Sequence, residues 1–213
     1  MTTRRTRAFA VPVLFLAAVC MAPPAAAQRV TIAPTIGLYI PTEEFYKAAT
    51  SGNTADLRKQ EVSIGLGGRL GIVGRRVGVE FTGEYAPSKL KFNLNGEQNQ
   101  EDANVLTGSG RLTLFVIPTS SPIWFAVSGG VGVVHRSGAA YAALTDRTDI
   151  APTAGAQAGF HLGRLIALTV SADGYFYKPD FSSTGTSGST SQITQKDIHL
   201  SAGVSIPFLG VGR

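Results

Sequence analysis

The sequence predicts an all-β protein, an eight-stranded antiparallel up-and-down transmembrane β-barrel. Three observations lead to this prediction. Apolar and polar residues alternate in eight segments, the connections between these segments are alternately short and long, and a secretory signal precedes them. Alternation with a period of two indicates strands that have one apolar face. Alternating turn lengths are typical of barrels that cross a membrane.

The first 27 residues have the parts of a signal peptide. Three arginines lie within the first seven residues, an apolar stretch follows, and Ala25-Ala26-Ala27 precedes Gln28. A basic head, an apolar centre and an A-x-A end define a secretory signal. We therefore expect residues 1–27 to be removed after export, leaving residues 28–213 as one barrel domain.

The composition of the mature segment excludes several classes of protein. The only cysteine, Cys20, lies in the signal, so the mature chain has no disulfide, thiol nucleophile or cysteine metal site. Without the three signal arginines, 16 basic residues face 14 acidic ones, a net charge of +2. This balance gives no basic patch for nucleic acid. No later apolar run approaches the roughly 18 residues that indicate a membrane-spanning helix.

Eight segments alternate between apolar and polar residues. Their expected limits, in order, are residues 29–41, 61–74, 77–91, 103–116, 123–136, 150–162, 165–178 and 196–208. The clearest apolar faces are Val62, Ile64, Leu66, Leu70 and Ile72 in the second; Val77, Val79, Phe81 and Tyr85 in the third; Leu106, Leu112, Leu114 and Val116 in the fourth; Ile166, Leu168, Val170, Ala172 and Phe176 in the seventh; and Ile198, Leu200, Ala202, Val204, Ile206 and Phe208 in the eighth.

The connections between these strands alternate in length. Residues 75–76, 117–122 and 163–164 form short turns, whereas residues 42–60, 92–102, 137–149 and 179–195 form long polar loops. This pattern predicts one set of loops at each end of the barrel. The expected strands exceed the roughly 9–11 residues that a tilted strand needs to cross the hydrocarbon core.

Aromatic residues lie near both ends of the predicted strands. We expect them to form two girdles at the membrane–water interfaces, where rings with an apolar body are favoured. The alternative is that these rings belong to an ordinary protein core. The expected girdle residues are Tyr39, Tyr85, Phe115, Trp124, Phe125, Tyr175, Tyr177 and Phe208.

Charged residues occupy the inward positions of several predicted strands. A barrel of eight strands encloses only enough space for side chains or one small ligand, and buried charges are costly unless they are paired. We expect a network that plugs the lumen, in which Arg111 pairs with Glu80. The alternative is a switchable gate or a proton-linked ligand site. The expected network is Arg69, Glu80, Glu84, Arg111, Asp173 and His199.

The chain has no clear catalytic or cofactor-binding motif. His199-Leu200-Ser201 is similar to the His-x-Ser pair of lipid A deacylases, but no acid follows it to orient the histidine. The three histidines lie on different predicted strands without metal-motif spacing. We therefore expect no enzyme activity, no metal site and no cofactor.

The last predicted strand ends in Ser201-Ala202-Gly203-Val204-Ser205-Ile206-Pro207-Phe208, which is similar to the C-terminal assembly signal of outer-membrane barrels. Together with the signal, strands and loops, it makes residues 28–208 resemble the small eight-stranded outer-membrane barrel family, the OmpA/OmpX-like proteins. The resemblance implies the outer membrane of a Gram-negative-type bacterium, and contact with membrane lipid and the outer-membrane assembly machinery. It also implies a structural or surface-interaction role.

Three alternatives remain at this point. The barrel could be a narrow channel or carrier for a small or amphiphilic molecule, with a porin-like passage. It could be a lipid-modifying enzyme, or a soluble β-barrel of the periplasm.

Overall fold

The computed structural model describes residues 28–42, 46–47, 57–94, 97–142, 147–163, 165–178 and 194–211. The predicted signal peptide and most of the last long loop lie outside these residues. The strands are β1 (Gln28–Pro41), β2 (Tyr46–Lys47), β3 (Leu57–Gln60), β4 (Ser63–Val73), β5 (Val77–Ala86), β6 (Lys89–Leu94), β7 (Glu97–Asp102), β8 (Asn104–Ile117), β9 (Ile123–Ser137), β10 (Thr148–His161), β11 (Ala167–Tyr177) and β12 (Gln195–Val211). A short 3₁₀ helix spans Ala139–Tyr141.

Eight of these strands form a closed barrel. Around the barrel the order is β1, β4, β5, β8, β9, β10, β11 and β12, and β12 returns to pair with β1. Each neighbouring pair is antiparallel, and the closing pair runs from Gln28 opposite Val211 to Pro41 opposite Asp197. Closure leaves no strand edge unpaired in the barrel. The predicted eight-stranded up-and-down barrel, which is the architecture of the small outer-membrane barrels, is confirmed.

The alternation predicted from the sequence matches the two faces of the barrel wall. In β4, Ile64, Leu66 and Leu70 are exposed on the outer face. Arg69 lies between them in sequence and is buried in the lumen. This arrangement follows from strand geometry, because successive side chains point to opposite faces of a sheet.

Four short strands form a second sheet, which the sequence analysis did not predict. Its order is β2, β3, β6 and β7. The third predicted strand, residues 77–91, is therefore wrong at its end, because the structure divides it into β5 and β6 at Pro87-Ser88. Proline has no N–H to donate to a strand ladder, which favours a break there. The two long loops at residues 42–60 and 92–102 contain the other strands of this sheet.

The second sheet lies at the long-loop end of the barrel and is joined to it by backbone hydrogen bonds. The Ala103 N–H donates to Ser88 O at 2.8 Å, and the Glu61 N–H donates to Lys89 O at 2.9 Å. Leu90, Ala103 and Tyr141 pack together as a small buried cluster. Three of the four long connections thus meet in one layer, which we call the cap. Among the described residues, no helix has the length and apolarity to span a membrane.

Candidate functional site in the barrel lumen

In the described part of the chain, the lumen receives polar side chains from all eight barrel strands. Glycines on the inner face make room for the largest of them. A Cβ atom on Gly155 would clash with the Asp173 carboxylate and with Arg111, and one on Gly65 would clash with Glu84. The absence of these side chains allows charged groups from opposite walls to meet across a narrow barrel.

Two arginines share one carboxylate in the middle of the lumen. Arg69 Nη2 donates to one oxygen of Asp173, and Arg111 Nη1 donates to the other. Arg69 Nη1 also donates to Glu80 Oε1 at 3.0 Å, and Arg69 Nη2 donates to Ser171 Oγ at 2.6 Å. All four charged side chains are buried, so each charge depends on its partners instead of water.

The predicted pairing of Arg111 with Glu80 is wrong. The two residues lie opposite each other on β8 and β5, but Arg111 pairs with Asp173 of β11 and Glu80 pairs with Arg69 of β4. Strand register identifies neighbours along the wall. In a closed narrow barrel, however, long side chains also reach across the lumen, and the sequence does not show which of them meet.

The remaining two predicted residues form a separate pair nearer the long-loop end. His199 Nδ1 and Glu84 Oε1 are 2.9 Å apart. The imidazole lies between the rings of Tyr39 and Tyr175, with centroid distances of 5.2 and 5.1 Å. The structure therefore brings all six predicted charged residues into the lumen, in two groups.

The His-x-Ser pair is not arranged as a nucleophile and its base. Ser201 Oγ lies 2.7 Å from Ser171 Oγ, while His199 Nε2 has no hydrogen-bond partner among the described residues. Both side chains point into the lumen and are buried. Lipid that surrounds the barrel would have no contact with either group.

A third polar group near the long-loop end was missed in the sequence analysis. Asp197 accepts a hydrogen bond from Tyr39 Oη at 3.0 Å and another from Tyr177 Oη. Arg136 Nη1 donates to Asp149 Oδ2 at 2.7 Å, and its guanidinium lies 4.9 Å from the Tyr177 ring centroid. Strand parity was an available signal, because Asp197 and Arg136 share the inward parity of their strands.

The cap reaches this third group through Gln60. Its Oε1 accepts from Tyr141 Oη at 3.1 Å and from Tyr39 Oη at 3.4 Å, and its Nε2 donates to Ala103 O at 2.9 Å. Burial raises the pKa of Tyr141, which lies outside the barrel wall, to about 12. Its hydroxyl is therefore neutral and able to donate at physiological pH. The sequence analysis could not identify Gln60, because it lies in the predicted long loop 42–60, where no alternation shows which side chains point inward.

The prediction of two aromatic girdles is wrong for five of the eight residues. Tyr85, Phe125 and Phe208 are exposed on the outer face. The other five point into the lumen because they share the parity of inward residues: Tyr175, for example, is two positions from Asp173. The five buried rings are Tyr39, Phe115, Trp124, Tyr175 and Tyr177.

The residues that the structure describes line cavities inside the barrel beside these side chains. One of about 70 Å³ lies toward the short turns, between Arg69, Glu80 and Trp124. The other, of about 10 Å³, lies between Arg69, Glu84 and His199. A water molecule needs roughly 10–15 Å³ of such space, so the first has room for a few waters and the second for about one. Arg69 lines both cavities, and its ion pairs lie between them.

The described residues hold no group of three or more His, Cys, Asp or Glu side chains suited to a metal ion. In the described lumen, charged side chains pair with one another and with hydroxyl groups. Such an arrangement fills space and fixes the position of facing strands.

No family model matches the chain, and no curated protein matches it in sequence. Solved structures that match include the crystal structure of Neisserial surface protein A, at 11% identity and a TM-score of 0.49 over 86% of this chain and 98% of that one. The solid-state NMR structure of outer membrane protein AlkL in DMPC bilayers matches at 19% identity and a TM-score of 0.49, over 88% and 93%. The N-terminal barrel domain of Pseudomonas aeruginosa OprF matches at 10% and 0.44, over 84% and 99%. At such identities, function has to be inferred from the chain's own residues.

Proposed function

We propose that this chain is an integral outer-membrane β-barrel with a structural or surface-interaction role and a plugged polar lumen. The observation that carries the proposal is the apolar outer face of the closed barrel. Exposed aliphatic residues occur on strands all around it, among them Ile36 (56% exposed), Leu66 (61%), Val131 (59%) and Val170 (58%). Water-soluble proteins rarely expose an apolar surface of this extent. A closed barrel satisfies every wall hydrogen bond internally, as a membrane requires.

The proposal also includes the route to the membrane. The signal at residues 1–27 supports export, and the final strand β12 closes the barrel against β1. We propose that the outer-membrane assembly machinery inserts the chain, with the short turns in the periplasm and the cap outside the cell.

The packing of the lumen supports a structural role over a channel. The shared Asp173 carboxylate links Arg69 and Arg111 from β4 and β8, and these pairs separate the two small cavities. A solute would have to break buried ion pairs to pass. The arrangement of His199 and Ser201 likewise supports a role without catalysis.

Membrane fractionation tests the location, combined with gel mobility in SDS before and after boiling. We expect the protein in the outer-membrane fraction, with a mobility shift on heating because the folded barrel resists SDS. Recovery in the soluble periplasmic fraction would contradict the proposal.

Recording from planar lipid bilayers tests the plugged lumen. We expect no steady conductance from the purified protein. A steady conductance would support the channel or carrier instead. A change in envelope lipids upon expression, seen by mass spectrometry, would support a lipid-modifying enzyme.

A further inference from the structure

We propose that Arg75 and Arg76, in the short turn between β4 and β5, form a binding site for the phosphate groups of anionic phospholipids. The inference relies on the membrane insertion proposed above, and adds a preferred lipid and a place on the barrel where that lipid binds. Both residues are exposed.

Both arginines lie in the tight turn at one corner of the barrel. Arg29 of the neighbouring strand β1 lies opposite Val73 of β4 and lines the lumen cavity with it, so Arg29 is not part of this site. The tight turn that carries Arg75 and Arg76 is fixed on both sides. The Gly74 N–H donates to Val77 O at 2.9 Å, and the Phe115 N–H donates to Arg76 O at 2.8 Å. Backbone hydrogen bonds therefore fix the strand ends that carry the site.

The charge of this end is unbalanced. In the described part of the chain, the segments at the short-turn end are residues 28–29, 74–76, 117–122, 161–163, 165–166 and 209–211. They contain three arginines and no Asp or Glu. Within the described part of the chain, neither Arg75 nor Arg76 forms an ion pair. Their charge is thus available to an external anion.

The depth of the corner points to a lipid headgroup. Ile72 and Val77 lie on the outer face beside the turn and are exposed, so the guanidinium groups begin where the apolar surface ends. Arginine side chains at such a boundary extend along apolar surface and place their charge among the headgroups. Guanidinium binds phosphate with two parallel hydrogen bonds, and anionic lipids attract each nearby arginine.

Native mass spectrometry tests the site. The mature chain is folded into bilayers of equal parts phosphatidylglycerol and phosphatidylethanolamine, extracted gently, and the retained lipids are counted. We expect phosphatidylglycerol to be enriched on the wild type. The variant R75Q/R76Q should lose this enrichment by roughly tenfold or more, because two attractive charges are removed.

The matched control is K178Q/K196Q, which removes the same charge from two exposed lysines at the long-loop end. It should retain the enrichment. Equal retention by both double variants would overturn the site, as would a wild type that inserts but shows no lipid preference. Binding of soluble inositol hexakisphosphate without lipid enrichment would also overturn it. Failure of the wild type to insert, judged by heat-dependent gel mobility, would instead contradict the proposed membrane barrel itself.

Discussion

At the scale of single residues, Asp173 is the carboxylate that pairs with two arginines in the lumen. Its two oxygens accept from Arg69 and Arg111, which come from different strands. Glu80 pairs with Arg69, which also keeps Asp173 as a partner. Loss of Asp173 therefore leaves Arg111 without its carboxylate, whereas loss of Glu80 leaves no arginine unpaired.

We predict that Asp173→Leu lowers the free energy of unfolding by about 3–5 kcal/mol, the usual cost of removing one partner of a buried pair. Glu80→Leu should cost less. The double variant Arg111→Leu/Asp173→Leu should recover much of the loss, because Arg69 and Glu80 then remain as a complete pair. Reversible urea unfolding in lipid vesicles measures all three values, and a double-mutant cycle gives the coupling. A larger cost for Glu80→Leu than for Asp173→Leu would contradict this arrangement.

The single tryptophan reports directly on the inward aromatic residues. Trp124 packs in the lumen against Phe115, with ring centroids 5.5 Å apart, and lies over Gly159, where any Cβ would clash with it. We predict that brominated lipids quench Trp124 fluorescence weakly. They should quench the variant Trp124→Phe/Phe125→Trp strongly, since position 125 faces outward. Equal quenching of the two proteins would show that Trp124 faces the lipid, as the girdle prediction requires.

At the scale of elements, the barrel strands were predictable and the cap was not. The outer residues of β4 are apolar at every second position except Gly68, so parity alone identified its outer and lumen-facing sides. By the same parity, Tyr175 faces the lumen like Asp173, two positions earlier on β11. The girdle prediction failed because it considered only how near each ring lies to a strand end, and not which face of the strand carries it. By contrast, β7 reads Glu97-Gln98-Asn99-Gln100-Glu101-Asp102, which has no apolar face. Its strand pairing depends on the neighbouring hairpin partner β6.

We predict that Gln60→Ala loosens the cap without unfolding the barrel. The change removes the Gln60 donor to the Ala103 carbonyl and the Gln60 acceptor of the Tyr141 hydroxyl, which keeps its hydrogen bond with Arg136. A buried polar group that loses its partner costs about 1–3 kcal/mol. Hydrogen exchange should become faster in residues 57–60 and 89–103, while heat-dependent gel mobility is retained. The control Gln100→Ala, at an exposed position of β7, should change exchange little. Loss of SDS resistance in Gln60→Ala would show that the cap supports the whole barrel.

At the scale of the whole molecule, polar groups are inside and apolar groups outside, the reverse of a water-soluble barrel. Arg69, Glu80, Arg111 and Asp173 are buried in the lumen. The outer wall carries aliphatic residues such as Leu66, Leu112 and Val170. Sequence periodicity predicted this inversion, whereas the cross-lumen partners required the closed geometry. The inversion is the basis for placing the protein in a membrane.

The depth dependence of a charged substitution tests membrane insertion most directly. Leu66 is 61% exposed in the middle part of the outer wall, and Val77 is 60% exposed beside a short turn. In reversible folding into lipid bilayers, Leu66→Arg should cost about 2–4 kcal/mol and Val77→Arg about 0–1 kcal/mol, because arginine is penalised most at the bilayer centre. Equal costs at the two positions would contradict insertion, since in water the two exposed sites are equivalent.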